Sequence, residues 1–302
     1  MPKTYKTQKI HNINIIDMRV LPGDSAFLLD DGETSILYDT GFAFTGEKLA
    51  QKVKKHLQKD DKTRNLDYIF LTHSHYDHAL GSVYVKELFP EAKIVAGTYA
   101  ANIFKKDSAK KIMRDLDQKF AAKNGIHQYK DLIDNLHVDI EVSDQQKIQW
   151  GKMTFTTIEL PGHTKCSVGF YLEDEKLLLG SETLGVYTGN EKIIPSYLVG
   201  YEMTLKSFEK VHALNVKNIL VPHYGLLSEE ETEFYLKHAK RNATETAQEI
   251  LKALKSGKTK AEILSDFKEK YYTPQVQEIY PIDAMELNTN IMINLIEKEL
   301  FI

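Results

Sequence analysis

Four side chains that can bind a metal ion lie within six residues, directly after a predicted strand: His73, His75, Asp77 and His78. Side chains two residues apart in an extended segment point the same way, so His73 and His75 can bind one ion. The offset of Asp77 and His78 can direct these two to a second ion nearby. Imidazole and carboxylate ligands suit zinc, iron or manganese. A solvated histidine-rich loop is the alternative, and the spacing disfavours it.

Three further ligand-type side chains each come directly after an apolar run that is typical of a strand. They are His163, Glu182 and His223. Loops at strand ends build many binding sites, so each of the three is a candidate ligand. Taken singly, His163 and His223 could equally be ordinary turn histidines. Their order after the first cluster favours a shared site.

The elements that must position these side chains form two blocks of strands and helices. The first block has predicted strands at residues 12–20, 25–29, 35–38, 68–71 and 93–96 and helices at 47–57 and 99–123. The second has predicted strands at residues 147–150, 153–160, 168–172, 176–179 and 218–221 and a helix at 203–214. Two such blocks indicate two sheets with helices outside them, not one continuous doubly wound sheet.

The chain from residue 228 onward is predicted to be almost entirely helical. Ser228 with Glu231, and Thr259 with Glu262, have the spacing of a capping box at a helix start. We expect residues 228–302 to form a helical cap that packs on the core and can close over the site. A purely structural buttress or a dimerisation face is at least as compatible with the sequence.

The composition excludes several functional classes. The chain has 302 residues, of which 42% are hydrophobic and 27% charged, as in ordinary globular proteins. Its apolar runs fall far below the roughly 18 residues of a membrane span. Lys and Arg number 39 against 43 Asp and Glu, so the basic excess of nucleic-acid binders is missing. We therefore expect neither a membrane nor a nucleic acid as partner.

The cysteine content and the N-terminal residues favour a cytoplasmic location. Cys166 is the only cysteine, which permits no intrachain disulfide and suits a reducing compartment. The first residues carry charge without a following apolar run, so no secretory signal is expected. Cys166 comes three residues after His163, and we expect it to be a buried packing residue, not a nucleophile.

The motif and the later ligand types resemble the metallo-β-lactamase superfamily, whose signature is His-x-His-x-Asp-His followed downstream by a His, an acidic residue and a His. The resemblance covers residues 15–227 and includes Asp39 in the element Tyr38-Asp39-Thr40-Gly41. It implies an α/β fold, the αββα sandwich of the family, with two metal ions at one edge. Residues 1–227 would form this core, with a helical insert at about 99–135, and residues 228–302 a helical C-terminal extension.

The resemblance also implies the ligand sets of two divalent ions, for which zinc comes first and iron and manganese are alternatives. The first ion would be held by His73, His75 and His163, and the second by Asp77, His78 and His223. Glu182 stands where the family usually has a bridging Asp, and its extra methylene can displace the bridge or change metal choice and occupancy. Asp39 would orient a ligand from behind. Capping of the turn at residues 40–41 is an equally compatible role for it.

The chemistry implied by this family is hydrolysis by a hydroxide that two metal ions activate. Asp77 would both bind a metal and hydrogen-bond this solvent molecule. The hydroxide attacks an electrophilic carbon or phosphorus while one metal polarises the substrate oxygen, so no Ser or Cys nucleophile is required. Tyr187, Tyr197 and Tyr201 are candidate substrate-binding residues, because a phenol there could stabilise a developing oxyanion. Aromatic packing against the cap is their alternative role.

Chain length narrows the reaction within the superfamily. About 40 residues separate Glu182 from His223, which leaves no room for the large domain inserted in nucleic-acid-processing members. The last 75 or so residues are too few for the flavodoxin domain of the oxygen reductases, which also typically carry a Glu where this chain has His75. With these two classes excluded, the chain is similar in plan to glyoxalase II-like thioesterases, acyl-homoserine lactonases and the quinolone-signal response protein.

We therefore expect a hydrolase, in monomeric or homodimeric form, that acts on a small-molecule thioester or carboxylic ester, with a lactone second and a phosphodiester less favoured. A function from another class stays open. The chain could be a ligand-sensing or partner-binding module that retains the metal site and turns over substrate only incidentally. Glu182 and the helical extension motivate that alternative.

Overall fold

A computed structural model describes residues 7–59, 63–189 and 192–300. Within these ranges, seven strands form a first sheet in chain order: β1 Gln8–Ile10, β2 Ile13–Asp17, β3 Phe27–Asp30, β4 Ser35–Tyr38, β5 Tyr68–Phe70, β6 Lys93–Gly97 and β7 Ile140–Val142. Strands β1 to β4 pair antiparallel and strands β4 to β7 pair parallel. The carboxyl ends of the parallel strands therefore meet at one edge of the sheet.

The second half of the chain builds a second, mostly antiparallel sheet. Its strands are β8 Lys147–Trp150, β9 Met153–Glu159, β10 Val168–Leu172, β11 Leu177–Leu179, β14 Asn218–Val221 and β15 Gly225–Leu226, in the order β15-β14-β11-β10-β9-β8. Strands β11 and β14 are parallel neighbours. Between them in sequence lies a small hairpin of β12 Val186–Tyr187 and β13 Ile193–Ile194.

The two sheets enclose an apolar layer between them. Phe70 of the first sheet packs on Phe155 and Phe170 of the second, with ring centroids 5.2 and 4.5 Å apart. These three side chains are fully buried, as are Leu179 and Leu220 in the same cluster. Burial of large apolar side chains from both sheets is what holds the sandwich together.

Helices cover both outer faces of the sandwich. They are α1 Gly46–Leu57, α2 Tyr76–Ala79, α3 Ser82–Leu88, α4 Thr98–Phe104, α5 Asp107–Lys123, α6 Tyr201–His212, α7 Glu229–Lys255, α8 Lys260–Tyr271, α9 Pro274–Ile279 and α10 Ile282–Leu300. The expected αββα sandwich with a helical C-terminal extension is confirmed. None of the helices in the described parts of the chain is long and apolar enough to cross a lipid bilayer.

Two predicted elements differ from the observed ones by more than one or two residues. The strand predicted at residues 12–20 is only β2, because the Asp24 carboxylate accepts hydrogen bonds from the backbone N–H groups of Val20 and Leu21 and folds this segment into a loop. The helix predicted at residues 99–123 is divided into α4 and α5. Lys106 is extended there, with φ −95° and ψ 119°, so the first helix ends before it.

The C-terminal extension is built as its sequence signals predict. Ser228 and Thr259 begin α7 and α8, and each forms a complete capping box with the Glu three residues later. The extension packs on the outer face of the second sheet. Ile293 of α10 and Ile158 and Ile219 of the sheet belong to one buried cluster. The helices are therefore part of the molecule's core packing.

Candidate metal centre

Five chain segments bring the seven candidate ligands to one edge of the sandwich. His73 and His75 follow β5, and Asp77 and His78 lie on α2. The other three follow strands of the second sheet: His163 after β9, Glu182 after β11 and His223 after β14. Their ligand atoms form two groups, within each of which all atoms lie within 4.8 Å of one another: His73, His75, His163 and Glu182 in one, and Asp77, His78 and His223 in the other.

The first group is compact. His75 Nδ1 lies 3.0 Å from His163 Nε2. Oε2 of Glu182 lies 3.0 Å from His163 Nε2 and 3.5 Å from His73 Nε2. With metal–nitrogen bonds of about 2.0–2.1 Å, neighbouring ligands of a tetrahedral ion lie roughly 3.3 Å apart. The separations in this group agree with such an arrangement.

The second group is more open on its carboxylate side. His78 Nε2 lies 3.1 Å from His223 Nε2, and Asp77 Oδ2 lies 3.9 Å from each of these nitrogens. Glu182 reaches this group as well, with Oε2 3.3 Å from His78 Nε2 and Oε1 3.4 Å from His223 Nε2. The longer side chain of Glu182 therefore places its carboxylate between the two groups.

Hydrogen bonds from behind fix the orientation of the imidazoles. His78 Nδ1 donates to Asp39 Oδ2 at 2.7 Å, and His223 Nδ1 donates to the carbonyl of Gly23 at 2.9 Å. His163 Nδ1 lies 2.8 Å from the hydroxyl of Ser196. In each case the Nδ1 contact turns Nε2 toward the centre, which is the usual support of metal-binding histidines.

Asp39 lies directly behind His78, on the side away from the cavity. It is fully buried and accepts hydrogen bonds from the hydroxyl of Ser25 and from the backbone and hydroxyl of Thr72. Its φ is +56°, and that of His223 is +62°. Such left-handed conformations are unfavourable for these residues and persist where the surrounding structure enforces them, often at functional sites.

A glycine permits the close approach of the loop that carries His163. Gly162 has a φ of +149°, and a Cβ there would lie 2.9 Å from the Cα of Thr204 on α6. Any side chain at this position would push the loop away from the helix. This glycine is therefore required by the backbone that positions His163.

The protonation states of the first group suit metal binding. Burial lowers the pKa of His73, and the neighbouring imidazoles of His78 and His75 lower it further. Burial likewise lowers the pKa of His75, to about 3. Burial opposes the charge of Glu182, but His163 holds the pKa of this carboxyl well below its ordinary value. Neutral imidazoles beside a carboxylate are the donors that zinc and similar ions bind.

One buried ligand atom of the centre lacks a hydrogen-bond partner within the described part of the chain. His73 Nε2 is buried and has no hydrogen-bond partner among the described residues, while Thr72 Oγ1 lies 2.9 Å from its Nδ1. Buried polar atoms are normally paired, because leaving one unpaired costs about 1–3 kcal/mol. A cation bound by this nitrogen would supply the missing partner, so the residues present fit a metal ion.

A cavity of about 500 Å³ opens from the centre. Its inner end is lined by His75, Asp77, His163, Glu182 and His223. Its walls come from Phe42, from α5 and from residues 279–291, which include the first half of α10. The C-terminal extension therefore forms part of the cavity wall.

The three tyrosines proposed from sequence do not line this cavity. Tyr187, Tyr197 and Tyr201 are buried in the apolar cluster under the C-terminal helices. Tyr76 and Tyr280 line the cavity instead. Sequence spacing gave no signal for Tyr280, because it lies 57 residues beyond His223 and reaches the cavity only through the packing of the extension.

Cys166 lies apart from the cavity lining. Its side chain is 2% exposed and belongs to the apolar cluster of the first sheet and its helices. Its Sγ lies 3.2 Å from the Thr164 hydroxyl and 3.3 Å from that of Ser74. A buried cysteine in an apolar cluster is typical of a packing residue, so Cys166 has the surroundings of one.

Comparisons with known proteins agree with this architecture. Residues 21–223 match the family model of the metallo-beta-lactamase superfamily. Over 114 residues the chain is 28% identical to a glyoxylase B2 of Dictyostelium discoideum, covering 38% of this chain and 34% of that protein. Over 176 residues it is 26% identical to a metallo-beta-lactamase fold-containing protein of Sulfurisphaera tokodaii, covering 57% of this chain and 66% of that protein. The chain thus matches about a third of the first relative and just under two thirds of the second.

A solved structure extends the likeness to the helical C-terminal part. The beta-lactamase domain protein of Burkholderia ambifaria superimposes with a TM-score of 0.65 at 11% identity, over 99% of this chain and 89% of that one. At this identity the likeness concerns the fold alone. The family model, by contrast, matches more than half of the sequence and includes all seven candidate ligands. The chain belongs to the metallo-β-lactamase superfamily.

Proposed function

We propose that this chain is a metal-dependent hydrolase of small-molecule esters, with thioesters and carboxylic esters as first candidates and lactones second. The observation that carries the proposal is the convergence of seven nitrogen and oxygen ligands at the inner end of a largely apolar cavity. Pockets of this size and character suit small molecules. The similarity to a glyoxylase B2 supports the thioester choice. Glyoxalase II-like thioesterases are among the enzymes that the sequence resembles.

Two divalent ions would occupy the two ligand groups. His73, His75 and His163 would hold the first, Asp77, His78 and His223 the second, and Glu182 would contact both. Metal ions held by these residues would lower the pKa of bound water and polarise the substrate's carbonyl oxygen. Zinc, iron and manganese all accept this set of imidazole and carboxylate ligands.

Asp77 is the ligand residue best placed to act on solvent. Its side chain is 23% exposed and lines the cavity, whereas that of His78 is fully buried. A carboxylate in that place can accept a hydrogen bond from the attacking water and orient its lone pair toward the substrate carbon.

Tyr280 is the candidate donor to the substrate oxygen. Its phenol oxygen accepts a hydrogen bond from Asn288 Nδ2 at 2.6 Å, which leaves its own O–H available to donate. Burial raises the pKa of Tyr280 above its ordinary value, and Glu182 raises it further, so the phenol keeps its proton at neutral pH. A donor held ready in an apolar cavity can stabilise charge that develops on the carbonyl oxygen.

The test combines metal analysis with a substrate panel. The chain is loaded with zinc, iron(II) or manganese and assayed on thioesters, carboxylic esters, lactones and phosphodiesters. His75→Ala should reduce turnover at least about 100-fold. Substitution of the residues that hydrogen-bond to metal ligands already lowers metal affinity or activity by about 10–100-fold, and loss of a ligand itself should cost more. His137→Ala is the matched control, because His137 is exposed and lies outside the cavity lining. Absence of metal-dependent turnover on every panel member would contradict the proposal and favour a ligand-sensing module.

A further inference from the structure

Two helical faces line the cavity from opposite sides. On α5 the lining residues follow helical spacing and so share one face: Leu116, Lys119, Phe120 and Lys123. On α10 four of the lining residues have the same spacing, Ala284, Leu287, Asn288 and Ile291, and Asp283 lines the cavity beside them. The cavity beyond the metal centre is therefore a cleft between one helix of the insert and one of the extension, and we call it the α5–α10 cleft.

Apolar side chains in the α5–α10 cleft remain open to water. Leu287 is 55% exposed and Leu116 is 36% exposed, although both line the cavity. The opposite faces of the same helices are buried, with Ala121 on α5 and Ile293 on α10 inside the protein. An apolar ligand between the helices would remove both leucines from water, which is a favourable change.

Three charged side chains line the α5–α10 cleft away from the metal centre: Lys119, Lys123 and Asp283. Asp283 is paired with Lys123, and this ion pair joins the two helices across the cleft. Lys119 makes no salt bridge to a carboxylate within the described part of the chain. A lysine in such a place lays its methylene stem along apolar surface while its ammonium stays in water. The cleft therefore presents no unpaired carboxylate to an apolar ligand.

We propose that the substrate carries an apolar acyl chain, and that this chain lies in the α5–α10 cleft while its ester group faces the metal centre. At about 30 Å³ for a water-sized group, 500 Å³ holds on the order of 15 such groups. The ester group and the atoms next to it occupy part of this volume. The remaining volume fits an acyl chain of roughly eight to ten carbons. The inference rests on the proposed ester hydrolysis and names its substrate class: esters or thioesters of medium-chain apolar acids.

The first experiment measures turnover against chain length. The zinc-loaded full chain is assayed on p-nitrophenyl esters from acetate to dodecanoate. We expect kcat/KM to rise about fourfold for each added methylene that the cleft buries, and to stop rising near eight to ten carbons. A flat profile across the series, with turnover intact, would overturn the inference and leave the proposed hydrolysis standing.

Two matched variants locate the chain in the cleft. Leu116→Asp should lower the ratio of decanoate-ester to acetate-ester kcat/KM at least about tenfold, because it places a charge on the cleft wall. Ile112→Asp lies one turn earlier on α5, is 60% exposed and does not line the cavity, so it should keep the wild-type ratio. Equal ratios in the two variants would contradict the placement.

A binding measurement separates this inference from the proposed function. Decanoate and butyrate share a carboxylate, so the difference in their calorimetric affinities for the zinc-loaded chain isolates the contribution of the acyl chain. We expect decanoate to bind at least about 100-fold more tightly, with a negative heat-capacity change, and Leu116→Asp to reduce this difference at least about tenfold. If no ester is hydrolysed but this difference holds, the proposed function fails and the apolar site remains. If both anions bind equally, the inference is wrong.

Discussion

Asp39 holds the imidazole of His78 through a buried hydrogen bond of 2.7 Å and is itself held by Ser25 and Thr72. Since Thr72 Oγ1 also contacts His73 Nδ1, one carboxylate supports an imidazole in each of the two ligand groups. Partners of this kind set the tautomer and the basicity of a ligand. The alternative role for Asp39, capping the adjacent turn, does not explain these contacts.

Asp39→Asn should therefore weaken metal binding by about 10–100-fold, since the amide cannot match the charge that supports His78. Competition with a fluorescent chelator measures the affinity. Asp30→Asn is the matched control, because Asp30 is also a buried aspartate of the first sheet but pairs with Arg64, outside the two ligand groups. Equal metal affinity in both variants would show that Asp39 supports only the fold.

Tyr280→Phe should lower kcat by about 100-fold or more while KM changes little, if the phenol donates to the substrate oxygen in the transition state. Steady-state kinetics on the best ester of the panel measures this. Tyr197→Phe is the comparison, since the Tyr197 hydroxyl is buried without a hydrogen-bond partner among the described residues and its side chain does not line the cavity. Comparable kcat values in the two variants would remove Tyr280 from the mechanism.

Some residues of the centre could be predicted from the sequence, and others could not. His73, His75, Asp77 and His78 are close in sequence, so their spacing alone indicates a shared site. The later ligands needed the family resemblance, because nothing local distinguishes a ligand from a turn histidine at a strand end. Tyr280 was missed altogether, since its place in the cavity depends on how the C-terminal helices pack.

At the level of secondary-structure elements, α5 connects the cavity wall to the loop behind the centre. Asp117 of α5 is fully buried and accepts a hydrogen bond from the backbone N–H of Ala43, 2.9 Å away, and another from the hydroxyl of Tyr129. Burial raises the pKa of Asp117 to about 6, although these hydrogen bonds lower it. Ala43 lies on the loop that begins at Asp39, so the helix and the metal centre share one support.

The raised pKa of Asp117 predicts how stability varies with pH. The folded chain keeps the proton on Asp117 up to about pH 6, whereas the unfolded chain releases it near 3.8. This group's contribution to the free energy of unfolding is thus fully present below about pH 4 and falls by up to about 3 kcal/mol as pH rises to about 6. Other carboxyls, such as Asp30 with a pKa lowered to about 2, stabilise the fold increasingly as pH rises, so the decline is measured as a difference. The free energy of urea unfolding of the wild type minus that of Asp117→Asn should fall by this amount across the range.

The control for this measurement lies on the same helix. Asp115 is exposed and pairs with Lys111, so the free energy of unfolding of Asp115→Asn minus that of Asp117→Asn should show the same fall. A difference between the wild type and Asp117→Asn that stays constant across this range would contradict the raised pKa of Asp117.

Among the elements, those with local signals were predicted well. The capping boxes at Ser228 and Thr259 begin helices where the spacing indicates. The break between α4 and α5 was not predicted, because residues 99–123 contain neither Gly nor Pro and Lys106 carries no breaker signal. The α5–α10 cleft could not be predicted from the sequence either. It arises between segments about 170 residues apart, which no periodicity relates.

On the scale of the whole molecule, the sandwich and the extension share a buried core. Ile293 and Ile296 of α10 are fully buried in the cluster that contains Ile158 and Ile219 of the second sheet. Because this packing is continuous, we expect the extension and the sheet to unfold together. The extension therefore has a structural role in addition to its part in the cavity wall.

Ile293→Ala should lower the free energy of unfolding by about 2–5 kcal/mol and shift a single urea transition to lower concentration. Asn294→Ala changes the exposed neighbouring position and should leave the midpoint nearly unchanged. A separate early transition in the Ile293 variant, with the remaining signal at the wild-type midpoint, would show that the extension folds independently.

Binding of two metal ions by the two ligand groups can be tested by anomalous diffraction from zinc-loaded crystals above the zinc absorption edge. We expect two peaks. One should lie about 2 Å from the ligand nitrogens of His73, His75 and His163, and the other about 2 Å from those of His78 and His223. Maps without a peak between these side chains, with His78 Nε2 still hydrogen-bonded to His223 Nε2, would contradict it.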